Sequence, residues 1–144
     1  MMRAMDGPRE SPPSAASRTP TIVLATEDEA RGRGLRTVTD GLGYRAEVFT
    51  DVEALLYHTR GAVPEALVIE QALIERVPQL DVLALLRRRA ALAEVPFLVL
   101  GPEAGDRHAR AVAAGADVYL ALPTRPAVLK AYLQRLLDRR QRDR

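Results

Sequence analysis

The sequence predicts an α/β domain: a doubly wound, five-stranded parallel sheet with helices on both faces. Three observations lead there. Five short apolar runs recur along the chain, at Ile22–Ala25, Tyr44–Phe49, Ala66–Ile69, Phe97–Leu100 and Val118–Ala121. Between them lie apolar residues three and four apart, the spacing of one helix face. The run centres fall roughly 20 to 31 residues apart, the length of one strand–helix unit. Strands alternating with helices in this way pair in parallel and are buried on both faces.

Each element carries its own signals. Residues 1–20 hold Pro8, Pro12, Pro13 and Pro20 among small and polar residues, with no apolar periodicity. They read as a disordered arm ahead of a domain spanning 21–138. Ile22-Val23-Leu24-Ala25 is a continuous apolar run and so a buried strand, whereas Tyr44, Ala46 and Val48 alternate with polar neighbours, as suits an edge strand. Leu35, Val38 and Leu42 mark the first helix, weakened by Gly32 and Gly34. Thr50 with Glu53 forms a capping box ahead of Leu55 and Leu56. Leu80, Leu83 and Leu86 line a helix ending near Ala93. Asp106 caps a helix that stops at Gly115, a C-cap glycine. Thr124 precedes a long helix with Val128, Leu129, Tyr132, Leu133, Leu136 and Leu137.

Composition narrows the function classes. A chain of 144 residues supports about one compact core. It has no cysteine, which excludes disulfides, thiolate metal sites and cysteine nucleophiles. His58 and His108 are the two histidines, too few for a histidine-built metal centre, and both read as surface residues. No apolar stretch approaches the roughly 20 residues of a membrane span, and no signal-peptide block opens the chain. The expected compartment is the cytoplasm. Lys130 is the single lysine among 21 basic residues, so lysine chemistry rests on one side chain.

Ligands of doubly wound sheets sit beyond the carboxyl ends of the strands. Those ends carry Thr26, Glu27, Asp28 and Glu29 after the first strand, Glu70 after the third, Gly101-Pro102 after the fourth and Leu122-Pro123 after the fifth. With Val95-Pro96-Phe97-Leu98-Val99-Leu100 and Ala114-Gly115-Ala116-Asp117-Val118-Tyr119-Leu120, this order and spacing resembles the receiver domain of bacterial response regulators. The resemblance runs from about Thr21 to Leu137. It implies a flavodoxin-like strand order 2-1-3-4-5 and a role in two-component or phosphorelay signalling. In that family an aspartate ending the third strand takes a phosphoryl group from a histidine kinase. An acidic pair after the first strand holds Mg²⁺, while a hydroxyl on the fourth strand and a lysine on the fifth bind the phosphoryl oxygens.

This sequence departs from that pattern at almost every position. The acidic pair becomes Thr26-Glu27 followed by Asp28, the phosphoacceptor Glu70, the hydroxyl Gly101 and the lysine Leu122; Tyr119 alone matches, at the family's aromatic switch position. The segment Gln71–Pro78 is about four residues longer than the family's loop and lacks its Pro-Gly turn. Phosphoryl transfer needs cations on the equatorial oxygens, and partners that act as a unit fail together. The expectation is a vestigial pocket with its counter-charge lost, no cofactor, no metal and no catalysis, in a stand-alone degenerate receiver that serves as an interaction module. Glu27 and Glu70 are expected to be solvated at the pocket mouth; an alternative has Glu70 as a fixed mimic of the phosphorylated state. A rival reading makes Glu70 a phosphoacceptor beside an atypical Mg²⁺ site of Glu27, Asp28 and Glu70. No nucleophile–base pair, glycine-rich phosphate loop or zinc spacing points to another enzyme.

The family's contact and dimer surface is the face of its fourth helix, fifth strand and fifth helix. Here that implies Arg107, Arg110, Tyr119, Arg125 and Tyr132, with a signalling protein or a second copy as the partner. Tyr119 reads as a packing residue more than a working switch. Arg87-Arg88-Arg89 reads as a solvated helix face. Residues 139–144 read as a basic tail; its arginines suit the negative end of the last helix dipole. Nucleic acid is the weaker partner for this tail, because no aromatic stacking residues accompany it.

Overall fold

The computed structural model describes residues 20–103 and 105–143. Five parallel strands, β1 (Thr21–Ala25), β2 (Arg45–Phe49), β3 (Ala66–Glu70), β4 (Phe97–Pro102) and β5 (Val118–Leu122), form one sheet in the order β2-β1-β3-β4-β5. The register runs Ile22 to Ala66, Leu67 to Phe97 and Val99 to Tyr119 across the centre. This is the flavodoxin-like topology the sequence implied. Most of the arm at 1–20 lies outside the described residues.

The helices are α1 (Glu29–Gly41), α2 (Val52–His58), α3 (Gln71–Ile74), α4 (Val82–Arg87), α5 (Arg107–Ala114) and α6 (Pro126–Arg142), with a 3₁₀ turn at Ala90–Leu92. Alternate residues of each strand feed two cores. Val23, Leu67, Ile69, Phe97 and Val99 point to the side covered by α2 to α5. Ile22, Leu24, Val68, Leu98 and Leu100 point to α1 and α6. Leu133 and Leu137 of α6 are almost wholly buried there, each contributing roughly 2 kcal/mol of apolar transfer. Among the described residues no helix is long and apolar enough to cross a membrane.

Several boundaries differ from the sequence expectation. α1 runs through Gly32 and Gly34: Gly32 is buried with room for a Cβ in ordinary contact with Thr26, and Gly34 faces open space, so neither glycine interrupts the helix. The cap of α2 is Asp51, whose Oδ1 accepts the Ala54 N–H at 2.7 Å, one residue after Thr50. The long segment after Glu70 winds into α3. The next helix stops at Arg87 instead of reaching Ala93, and α6 continues through most of the expected tail.

Arg87 explains the early stop. Its guanidinium donates to the carbonyls of Leu92, Val95 and Gly115 at 3.0, 2.7 and 2.7 Å, and to Asp117 Oδ2 at 3.0 Å. It also lies 3.7 Å over the Phe97 ring. Arg89 donates to the Leu56 carbonyl at 2.7 Å. Of the three arginines only Arg88 is exposed, so the run is not the solvated helix face that the sequence suggested. Arg87 and Arg89 tie loops that would otherwise leave carbonyls without donors.

Candidate functional site

The carboxyl ends of β1, β3, β4 and β5 meet where the sequence placed the pocket. Thr26, buried at the end of β1, accepts the Asp28 N–H on Oγ1 at 3.0 Å. That turn sets Asp28 as the cap of α1, its Oδ1 accepting the Arg31 N–H at 2.9 Å. This N–H, with the Arg31 charge behind it, holds the Asp28 carboxyl below the usual carboxylate range.

The cap also aims Arg31 at the end of β3. Arg31 Nε donates to Glu70 Oε2 in a close ion pair, and Arg31 Nη2 lies 3.6 Å from Asp28 Oδ2. Glu70 is 3% exposed, so it is not solvated at a pocket mouth. A carboxylate buried to that degree needs a hydrogen-bonded counter-ion, and Arg31 supplies it. The expectation of lost counter-charge therefore fails in one respect: the fifth-strand cation is gone, but a first-helix cation has taken up the charge. Glu27 is exposed and pairs with Arg76 from the segment after α3.

The other two positions are filled as well. Gly101 is buried against Tyr119 and Gln71; a Cβ added there would overlap the Tyr119 hydroxyl and stand 2.7 Å from Gln71 Cβ. Tyr119 occupies that space, turned inward at 8% exposure, with its hydroxyl donating to the Pro102 carbonyl at 2.7 Å and its ring 5.5 Å from that of His108. Burial pushes the Tyr119 phenol up. Leu122 joins Leu100, Pro123 and Leu129 in the wall of a mostly apolar cleft of about 330 Å³ between α1 and α6.

Mg²⁺ takes oxygen ligands in near-octahedral geometry. Glu70 is committed to Arg31, Glu27 to Arg76, and Asp28 to its cap and to Arg31. Among the described residues no three His, Cys, Asp or Glu side chains converge. The residues present do not fit a divalent cation.

The expected contact face is divided by the structure. The extra short helix makes it α5–β5–α6. Arg110, ion-paired to Asp106 at 3.1 Å, and Arg125 are exposed, and Tyr132 is 36% exposed. Tyr119 belongs to the core, not to the face. Arg107 is half-buried and bonded at 3.0 Å to Glu75, whose carboxyl is held down by the Gln71 amide and by Arg107. Sequence reasoning missed Val112 and Val128, two exposed apolar residues of α5 and α6. It also missed Arg31 and Arg76; the spacing Asp28-x-x-Arg31, one turn from a cap, was the available signal.

No family model matches the chain. The transcriptional regulatory protein QseB of Haemophilus influenzae is 32% identical over 121 residues, covering 83% of this chain and 53% of that protein. The chain thus spans about half the length of this curated relative. A receiver domain protein (CheY-like) from Methanospirillum hungatei superposes with a TM-score of 0.76 at 16% identity, covering 88% of this chain and 100% of that one. The chain has the fold of response regulator receiver domains. A putative response regulator from Chloroflexus aurantiacus gives 0.74 at 23% identity (84% and 99% covered), and the chemotaxis response regulator CheY4 of Vibrio cholerae 0.72 at 18% (83% and 99%). Within this receiver fold, Glu70 ends β3, Gly101 lies in β4 and Leu122 ends β5, at the strand ends the motif mapping assigned.

Proposed function

We propose that this receiver domain works in two-component or phosphorelay-type signal transduction as a protein-interaction module that needs no phosphorylation. The observation that carries the proposal is the buried Glu70 carboxylate paired with the partly exposed Arg31. A carboxylate already neutralised by a guanidinium is a poor nucleophile toward a phosphoryl donor. A phosphoryl group at Glu70 would lack the metal and the fifth-strand cation that stabilise its equatorial oxygens. The chain has no catalytic step of its own, takes no metal, and acts in the cytoplasm.

Signalling output then comes from a surface held in one state. Tyr119 is fixed inward by its bond to Pro102 and by the space Gly101 leaves, and Arg107–Glu75 ties the start of α5 to the α3 segment. With no ligand that distinguishes two states, nothing drives a population shift. The partner is a signalling protein, or a second copy, meeting Arg110, Val112, Arg125, Val128 and Tyr132; arginine and tyrosine are enriched at binding hot spots.

The test is incubation with acetyl phosphate and Mg²⁺ followed by intact-protein mass spectrometry. The expected result is an unmodified chain. A phosphoryl adduct that disappears in Glu70→Gln would overturn the proposal.

A further inference from the structure

The cations of α6 divide into two sets. Arg139 reaches Asp117 at 3.4 Å, and Arg140 donates to the Glu94 carbonyl at 2.9 Å; these fasten the helix to the domain. Arg135 and Arg142 pair with no carboxylate among the described residues. Both stand with Arg139 on one side of the helix, in a ladder that begins with the aromatic ring of Tyr132. The spacings of three, four and three residues stack these side chains over a rise of about 15 Å. With Asp117 and Asp138 the four line a cleft of about 250 Å³ beside the start of β5. Favourable interaction with the helix dipole accounts for cations in the last turn, but not for Arg135 two turns earlier. Tyr132, ahead of the basic tail, brings an aromatic ring to this side of the helix.

We propose that this cleft binds a nucleoside phosphate whose base carries an exocyclic amino group. Tyr132 offers an exposed ring for base stacking. The unpaired forks of Arg135 and Arg142 match phosphate oxygens in geometry and charge. Asp138 gives one oxygen to the Gln134 amide at 2.9 Å, which leaves the other to accept an amino donor. Asp117 gives Oδ2 to Arg87 and the Phe97 N–H, and its Oδ1 faces Arg139 at 3.4 Å. An acidic peptide or bare polyphosphate would meet the carboxylate of Asp138 as repulsion. An amino-bearing nucleotide turns the same carboxylate into a contact. The cleft lies at the opposite end of the sheet from Glu70 and shares only Tyr132 with the partner face proposed above, so the Arg135 and Arg142 variants test it separately from that function.

The full chain is titrated at low salt with ATP, UTP, inorganic phosphate and a short oligodeoxyadenylate, followed by amide NMR. ATP is expected to bind, with shifts centred on residues 132–142, about tenfold tighter than UTP, which lacks the amino group. Tyr132→Ala is expected to weaken ATP about tenfold, and Arg135→Glu with Arg142→Glu to abolish binding. All three side chains are exposed, and a thermal melt confirms that each variant is folded. Equal affinity for ATP and UTP, an effect of phosphate alone, no shift, or shifts at another face overturns the proposal. Binding of the oligonucleotide without the free nucleotide also overturns it, in favour of a single-stranded nucleic-acid surface.

Discussion

Gly101→Ala is the smallest change that tests whether the switch aromatic is locked. The added Cβ overlaps the Tyr119 hydroxyl and sits 2.7 Å from Gln71 Cβ, so either the ring or α3 must move. Overpacking of this kind costs about 1–3 kcal/mol, and losing the Tyr119–Pro102 bond adds about 1 kcal/mol. A total near 3 kcal/mol lowers the melting temperature by about 10 °C for a domain of this size. Thermal unfolding measures the loss, and iodide quenching of tyrosine fluorescence reports whether Tyr119 has turned outward. In a Tyr119→Ala background the same glycine substitution is expected to cost about 1 kcal/mol less, because the hydroxyl clash is gone. A Gly101→Ala variant as stable as wild type, with Tyr119 still shielded, would refute the lock.

Arg31→Met leaves Glu70 buried without a partner, and denaturant unfolding should show a loss of about 2–3 kcal/mol, discounted because Arg31 is partly exposed. Adding Glu70→Leu is expected to recover most of that loss; no recovery would mean the pair is not the source. Arg87→Met removes donors from three carbonyls at once and is predicted to destabilise by about 3 kcal/mol, with amide exchange accelerated around Val95 and Gly115. Glu75 has a depressed folded-state carboxyl, so its contribution is present above the unfolded value of 4.5 and is lost as pH falls through the folded value. Glu75→Gln should therefore lower stability by a few tenths of a kcal/mol near pH 7, with the difference from wild type vanishing as pH falls below 4.5.

The sheet was legible because its strands are continuous apolar runs, and a parallel sheet covered on both faces leaves no other place for them. Helix ends were less legible. Thr50 and Asp51 are both good caps, and only the backbone decides between them. At the end of α4, Arg87 reaches the carbonyls of Leu92 and Val95 in the turn that follows and that of Gly115, 28 residues on, a contact that no local spacing announces. The pocket positions Glu70, Gly101 and Leu122 followed from strand ends. Their occupants did not, because 20 arginines stand in this chain and only the Asp28 cap selects Arg31 to face Glu70. Likewise Gly101 read as a missing hydroxyl, whereas its structural effect is the space it gives to Tyr119.

A two-dimensional amide spectrum recorded during addition of Mg²⁺ and then beryllofluoride probes the internal ion pair itself. With Glu70 held by Arg31, resonances at the ends of β1, β3 and β4 stay where they are at millimolar Mg²⁺, with or without the phosphoryl analogue. Saturable shifts centred on residues 27, 28 and 70, tightened by beryllofluoride, would contradict the account, because they require Arg31 to give way to a metal ion.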